Sequence, residues 1–153
     1  MPLLASTLES YLTLLFDSSD PGFVGWPATP EEVAENWGAA FGAYLSEIAY
    51  PPGAALLVIL AAPAFDDAFT AAFTPSTGMA ALQAGCAAVT TLLAVEMAAL
   101  GGVPLAPPGV FTAPVLSPTL DPAVPAASIA ASIHTWVITG TYAVPPAAPL
   151  PWS

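Results

Sequence analysis

His134 is the only histidine and Cys86 the only cysteine in the 153 residues, so nucleophilic or general-base chemistry has one imidazole and one thiol to draw on. A Ser-His-Asp arrangement needs partners for His134, and Ser128, Ser132 and Asp121 lie close in sequence. These residue types meet by chance in almost any chain, so the expectation is a helix-surface or interface histidine. Cys86 sits between Gly85 and Ala87 in the most apolar stretch, with no cation to stabilise its thiolate, and is expected to be a buried small hydrophobe. Asp66 and Asp67 are adjacent; on a helix they point about 100° apart and do not share a proton. They read as first-turn residues of a helix that restarts after Pro63, where acids complement the dipole. The run Asp17-Ser18-Ser19-Asp20-Pro21-Gly22 offers oxygen ligands for Ca²⁺, but the third acid and distant bidentate Glu of an EF-hand loop are absent, and a polar turn is expected. No Gly-rich phosphate cradle, cysteine pair or nucleophile elbow appears. The sequence therefore predicts no catalytic residue, no cofactor and no metal.

The charge balance removes further classes. Eleven Asp and Glu, no Lys or Arg and a formal net charge of -11 fill only 7% of the chain with charge, where about 25% is usual. Without a cation the chain cannot neutralise phosphates, pair a carboxylate bidentately or coat an anionic membrane, so nucleic acid is repelled. A cationic n-region is impossible and Glu9 interrupts the first apolar stretch, so no secretory signal is expected. The remaining texture is 33 Ala, 19 Pro and 56% apolar residues. That is too apolar for a disordered acidic chain, and too poor in charge to cover a soluble monomer at about 25 to 35% of its surface. Exposed apolar surface of that extent marks contact with protein or lipid, and the chain reads as one part of a larger body.

The elements that position these residues are helices. Residues 3 to 16 form an amphipathic pattern with Leu4, Leu8, Tyr11, Leu12 and Leu15 on one face. Thr29, Pro30 and Glu32 make an N-cap, a first-turn proline and a capping box, opening a second helix that runs to about Tyr50 with Val33, Trp37, Phe41, Tyr44, Leu45 and Ile48 at helical spacing. Gly38 and Gly42, four apart, admit a close helix neighbour. A third segment, 54 to 73, carries Phe65, Phe69 and Phe73 at steps of four, and Pro63 is expected to kink or split it. Ser76 or Thr77 caps a fourth helix ending at Gly101 and Gly102. Residues 103 to 125, with seven prolines, read as an extended apolar strap; a fifth helix spans about 126 to 138 with Ile129, Ile133, Trp136 and Val137 on one stripe, and VPPAAPLPWS closes the chain as a polyproline-like arm. The fold class is all-α, a compact bundle of four to five helices with long Pro-rich extended segments and a C-terminal arm. The parts are a helical domain (1–102), the strap (103–125), a C-terminal helix on the same domain (126–143) and the arm (144–153).

The short Ala-rich and Pro-rich chain, the lack of an enzyme signature, the apolar exterior and straps such as Thr112-Ala113-Pro114-Val115-Leu116 resemble, in texture, the small structural proteins of tailed bacteriophage virions. The resemblance implies a non-enzymatic, symmetrically repeated subunit of the virion, assembled in the host cytoplasm: a capsid cement or decoration protein, or a tail or neck component. Its partners would be copies of itself and other virion proteins, tied by exchanged arms. Phe111, Val115, Leu116, Trp136, Pro145, Pro146, Leu150 and Trp152 are the candidate subunit contacts. Two other classes compete. A membrane-inserting, holin-like protein would use residues 79 to 100, which are long enough for a bilayer but contain Gln83, Thr90, Thr91 and Glu96 and lack flanking cations. An acidic binding module would be steered to a cationic partner by its field.

Overall fold

The computed structural model describes residues 4–23, 25–47, 54–74, 77–99, 105–106, 109–116, 121, 123–142 and 150–151. Five helices carry the fold: α1 (Ala5–Phe16), α2 (Pro30–Leu45), α3 (Ala54–Ala72), α4 (Gly78–Ala99) and α5 (Ala123–Val137). β-structure among the described residues is confined to three two-residue strands, β1 (Leu105–Ala106), β2 (Thr141–Tyr142) and β3 (Leu150–Pro151). The chain is an all-α bundle. α1 packs on α5 and α2, α2 on α3, and α3 on α4.

Local signals set several of these boundaries. Thr29 caps α2, its Oγ1 accepting from the Glu32 N–H at 3.2 Å, with Pro30 in the first turn. The return half of the capping box is displaced by one residue: the Glu32 carboxylate accepts from the Ala28 N–H at 2.6 Å rather than from that of Thr29. α2 ends at Leu45, short of the expected Tyr50: Ser46 and Glu47 already form a turn, and residues 48–50, with Ile48, lie outside those described. At the α3–α4 junction Thr77 serves the preceding helix, its hydroxyl donating to the Ala72 carbonyl at 3.0 Å and accepting from the Thr74 N–H at 2.8 Å.

Two expectations need correction. Pro63 does not split α3, which runs from Ala54 to Ala72 with the proline inside it and exposed. An interior proline costs a helix about 3 kcal/mol, but here Phe65 and Phe69, within the next two turns, are buried at 0% and 1% exposure, and their burial outweighs it. Asp66 and Asp67 are consequently mid-helix residues and not first-turn acids. α5 starts three residues before the expected 126, because Pro125 lies in the first turn, where its missing N–H has no intrahelical partner in any case. The Asp121 carboxylate accepts from the Ala123 N–H at 3.0 Å at that start.

The core is one cluster drawn from all five helices and the strap. A path of aromatic contacts crosses it: Phe16 of α1 meets Trp37 of α2 edge to face, Trp37 stacks on Phe69 of α3 and Phe69 on Phe65, Phe65 meets Phe41 of α2 at a tilt, Phe41 stacks on Trp136 of α5, and Trp136 meets Phe111 of the strap edge to face, with centroids 5.3 to 6.1 Å apart. α4 reaches this path through small side chains. A Cβ built on Gly85 would lie 2.6 Å from the Phe65 ring, so only glycine lets α4 approach α3 this closely. On α2, Gly38 leaves a similar notch, and it is filled by Asp66: a Cβ there would lie 1.7 Å from Oδ1.

Beyond the helices, β1, β2 and β3 form an antiparallel ladder in that order, pairing Leu105 with Tyr142, Ala106 with Thr141, Thr141 with Pro151 and Tyr142 with Leu150. Pro151 sits on an edge strand, the place in a sheet that tolerates a residue without an N–H. The ladder ties the strap and the end of the arm to the segment that follows α5.

Candidate interaction surface

The residues singled out for chemistry are engaged elsewhere. The His134 Nδ1 shares a 2.7 Å hydrogen bond with the hydroxyl of Tyr44, 90 positions away, and their rings meet edge to face. Burial lowers the His134 pKa from its ordinary value, and raises that of Tyr44, whose side chain is fully enclosed, so both are neutral at pH 7. Cys86 is also fully enclosed, and the same desolvation pushes its thiol pKa up, away from the thiolate a nucleophile requires. In the 17–22 turn, Asp17 accepts from the Ser19 N–H and hydroxyl at 2.9 and 2.6 Å, which holds its carboxyl below the usual range, and Asp20 accepts from the Gly22 N–H at 2.7 Å. Both carboxylates close local turns. Among the described residues no group of three or more His, Cys, Asp or Glu is placed to hold a metal ion.

Asp66 is the most perturbed acid. It faces a cleft of about 480 Å³ between α2 and α3 that is also lined by Glu31, Glu35 and Asp67. Its Oδ1 is buried against the Gly38 notch with no hydrogen-bond partner. Desolvation first, and then the charges of Glu35 and Asp67, raise its pKa from 3.8 to about 6. A chain without Lys or Arg has no cation to offset either effect.

The candidate contact residues divide. Phe111 and Trp136 are 3% and 5% exposed and lie in the chain's own core, where they hold the strap on α5. A buried tryptophan N–H requires a partner, and Trp136 Nε1 finds it within the chain, donating to the Gly109 carbonyl at 2.6 Å. The Gly109 N–H in turn donates to Thr139 Oγ1 at 3.2 Å. Leu116 packs partly buried against the core. Val115 is 98% exposed, and so, at 91%, is Val110, which the sequence reading did not single out. Leu150 takes part in the ladder through its backbone, while Pro145, Pro146 and Trp152 lie outside the described residues. The adjacency of two large apolar residues, Val110 and Phe111, was the signal that one of them must face outward, since successive residues of an extended segment point opposite ways.

Two clefts flank the strap. One, of about 710 Å³, lies between residues 109–112 and the outer side of α5, lined by Ser132, Thr135 and Thr139; the other, of about 410 Å³, lies toward α4, with Gln83, Ala87 and Thr91 on its wall. No charged side chain lines either. Nine of the eleven acids precede residue 68, and only Glu96 and Asp121 follow. Many hydroxyls on this side are bonded to their own helices: Thr90 to the Cys86 carbonyl at 3.1 Å, Thr91 to that of Ala87 at 3.0 Å, Ser132 to that of Ser128 at 2.9 Å and Thr139 to that of Trp136 at 2.6 Å. Their donors are thereby taken up within the chain. Comparison of the chain with protein-family models, with curated proteins and with solved structures finds no match.

Proposed function

We propose that the chain is a non-enzymatic structural subunit of a large symmetric assembly, a virion component of the capsid cement, decoration, tail or neck type, acting by apolar burial and by arm exchange between subunits. The observation that carries the reading is the pair of nearly fully exposed valines, Val110 and Val115, on one strap, with no charged side chain lining the two clefts beside Val110. At about 25 cal/mol per Å² of apolar area, covering several hundred Å² stabilises an assembly by several kcal/mol per copy before ordering costs are subtracted. Prolines in the strap lower those costs, because the free segment already has restricted backbone freedom. Arm exchange takes a specific form here: Leu150–Pro151 pairs with Thr141–Tyr142 of a neighbour, reproducing between chains the ladder seen within one. The virion assignment itself rests on the compositional resemblance.

A membrane-inserting role has less support, since no helix among the described residues is long and apolar enough to cross a bilayer. The test is the native mass of the purified protein across a dilution series, without detergent. Discrete oligomers that dissociate on dilution are expected; a monodisperse monomer at about millimolar concentration overturns the reading.

A further inference from the structure

We propose that the face formed by the strap 109–116 and the outer sides of α4 and α5 is a homotypic interface that receives a second copy of this chain, with Val110 and Val115 as the inserting side chains. The proposal rests on the structural-subunit reading above and names the surface and partner that it requires.

Shape provides the first argument. Gly109, Val110 and Phe111 line both strap clefts, so the strap is a ridge with a groove on either side. Phe111 turns into the core while Val110 stands 91% exposed on the crest. A ridge beside a groove on a single face is self-complementary under a two-fold axis: the ridge of each copy enters the groove of the other. Charge selects the same occupant. Two chains of net charge -11 repel wherever their acids face each other, and the region toward α1 to α3 holds nine of the eleven. The strap face has no charge lining its clefts and only Glu96 and Asp121 on its flanking segments, so two such chains meet there with few carboxylates opposed. A cationic partner finds no carboxylate in those clefts to pair with.

Desolvation is the third argument. The groove hydroxyls of Thr90, Thr91, Ser132 and Thr139 already donate to carbonyls of their own chain, so covering these four strands no donor, while Gln83, Thr112 and Thr135 need partners across the interface. The interface core is then aliphatic, with Val110 and Val115 as the fully desolvated contacts and the hydroxyl-bearing walls as the surrounding rim.

The test compares the full-length chain with the Val110→Asp/Val115→Asp double variant and with Trp26→Asp, all by sedimentation velocity over a dilution series. Both valines and Trp26 are exposed, at 91%, 98% and 69%, so the variants keep the fold, which circular dichroism and thermal melting check. The double variant is expected to raise the dissociation constant roughly 100-fold or more, whereas Trp26→Asp, which adds one charge in the loop before α2, leaves it within about threefold. A double variant that assembles as tightly as the parent overturns the interface while leaving the structural-subunit reading standing, and so does an equal loss in Trp26→Asp. A parent chain that is monomeric at every concentration overturns both. Co-sedimentation of that monomer with phosphatidylcholine vesicles, lost in the double variant, would assign the face to lipid and overturn the homotypic interface.

Discussion

Gly85 and Gly38 each let a helix approach α3, but what fills the notch differs, and so does the expected response to a methyl group. Gly85 faces the ring of Phe65, which is fully buried and held between Phe41 and Phe69, so it has nowhere to move. Gly85→Ala should destabilise the fold by about 1–3 kcal/mol despite the better helix propensity of alanine. Gly38 faces the terminal atoms of Asp66, which can rotate into the cleft, so Gly38→Ala should cost less than Gly85→Ala in parallel urea titrations. Asp66 also gives a pH signature. Its pKa is about 6 in the fold against an ordinary 3.8, so the folded state binds more protons between those values and stability falls as pH rises from about 4 to 6, the penalty being complete above that range. Asp66→Asn removes the penalty: it should be neutral at pH 4 and stabilising at pH 7.5 by about 1 kcal/mol, an amount discounted for solvent screening of a partly exposed carboxyl, or roughly 2–4 °C in Tm. His134, with its pKa lowered, acts in the opposite sense, losing stability as pH falls below its ordinary 6.5, so the difference between parent and variant isolates Asp66.

Among the elements, the strap is held on α5 chiefly through Trp136, with Thr139 and the core contacts of Phe111 and Leu116 beside it. Trp136 stacks on Phe41, meets Phe111 edge to face and donates to the Gly109 carbonyl. Trp136→Phe keeps most of the ring contact and deletes the donor. It should cost about 1–2 kcal/mol, because the hydrogen bond is lost and the Gly109 carbonyl loses its donor. The strap should also become more susceptible to a protease. Thermolysin followed by mass spectrometry is the measurement, and faster cleavage within 109–116 the expected result; trypsin is of no use, as the chain offers no Lys or Arg. Helix identity was legible in the sequence because capping chemistry and apolar spacing are local. Thr29, Pro30 and the Ile129-Ile133-Trp136-Val137 stripe all stand where expected. The split allowed for at Pro63 does not occur, because the cost of an interior proline is local whereas the burial of Phe65 and Phe69 that overrides it is tertiary.

For the whole molecule, charge and shape make opposite demands that salt can separate. Copies of a chain with net charge -11 repel one another, and added salt screens that repulsion. If assembly proceeds by apolar burial on the strap face, raising NaCl from about 20 to 300 mM should strengthen it, read as a lower midpoint concentration in light scattering, over a range in which the Debye length falls from tens of ångströms to a few. A cationic partner would show the reverse, its binding weakening as salt rises.

The sequence by itself determined the helical class and the lack of any Lys or Arg side chain for chemistry, because composition and helical periodicity need no knowledge of what lies next to what. Only the tertiary structure decided which apolar residues remain outside. Phe111 and Trp136 turn inward on each other while Val110 and Val115 turn outward, and Asp66 meets Gly38 across a helix pair. Those outcomes depend on contacts between residues far apart in the chain, and no local pattern encodes which side of an extended strap will find a helix to lie on.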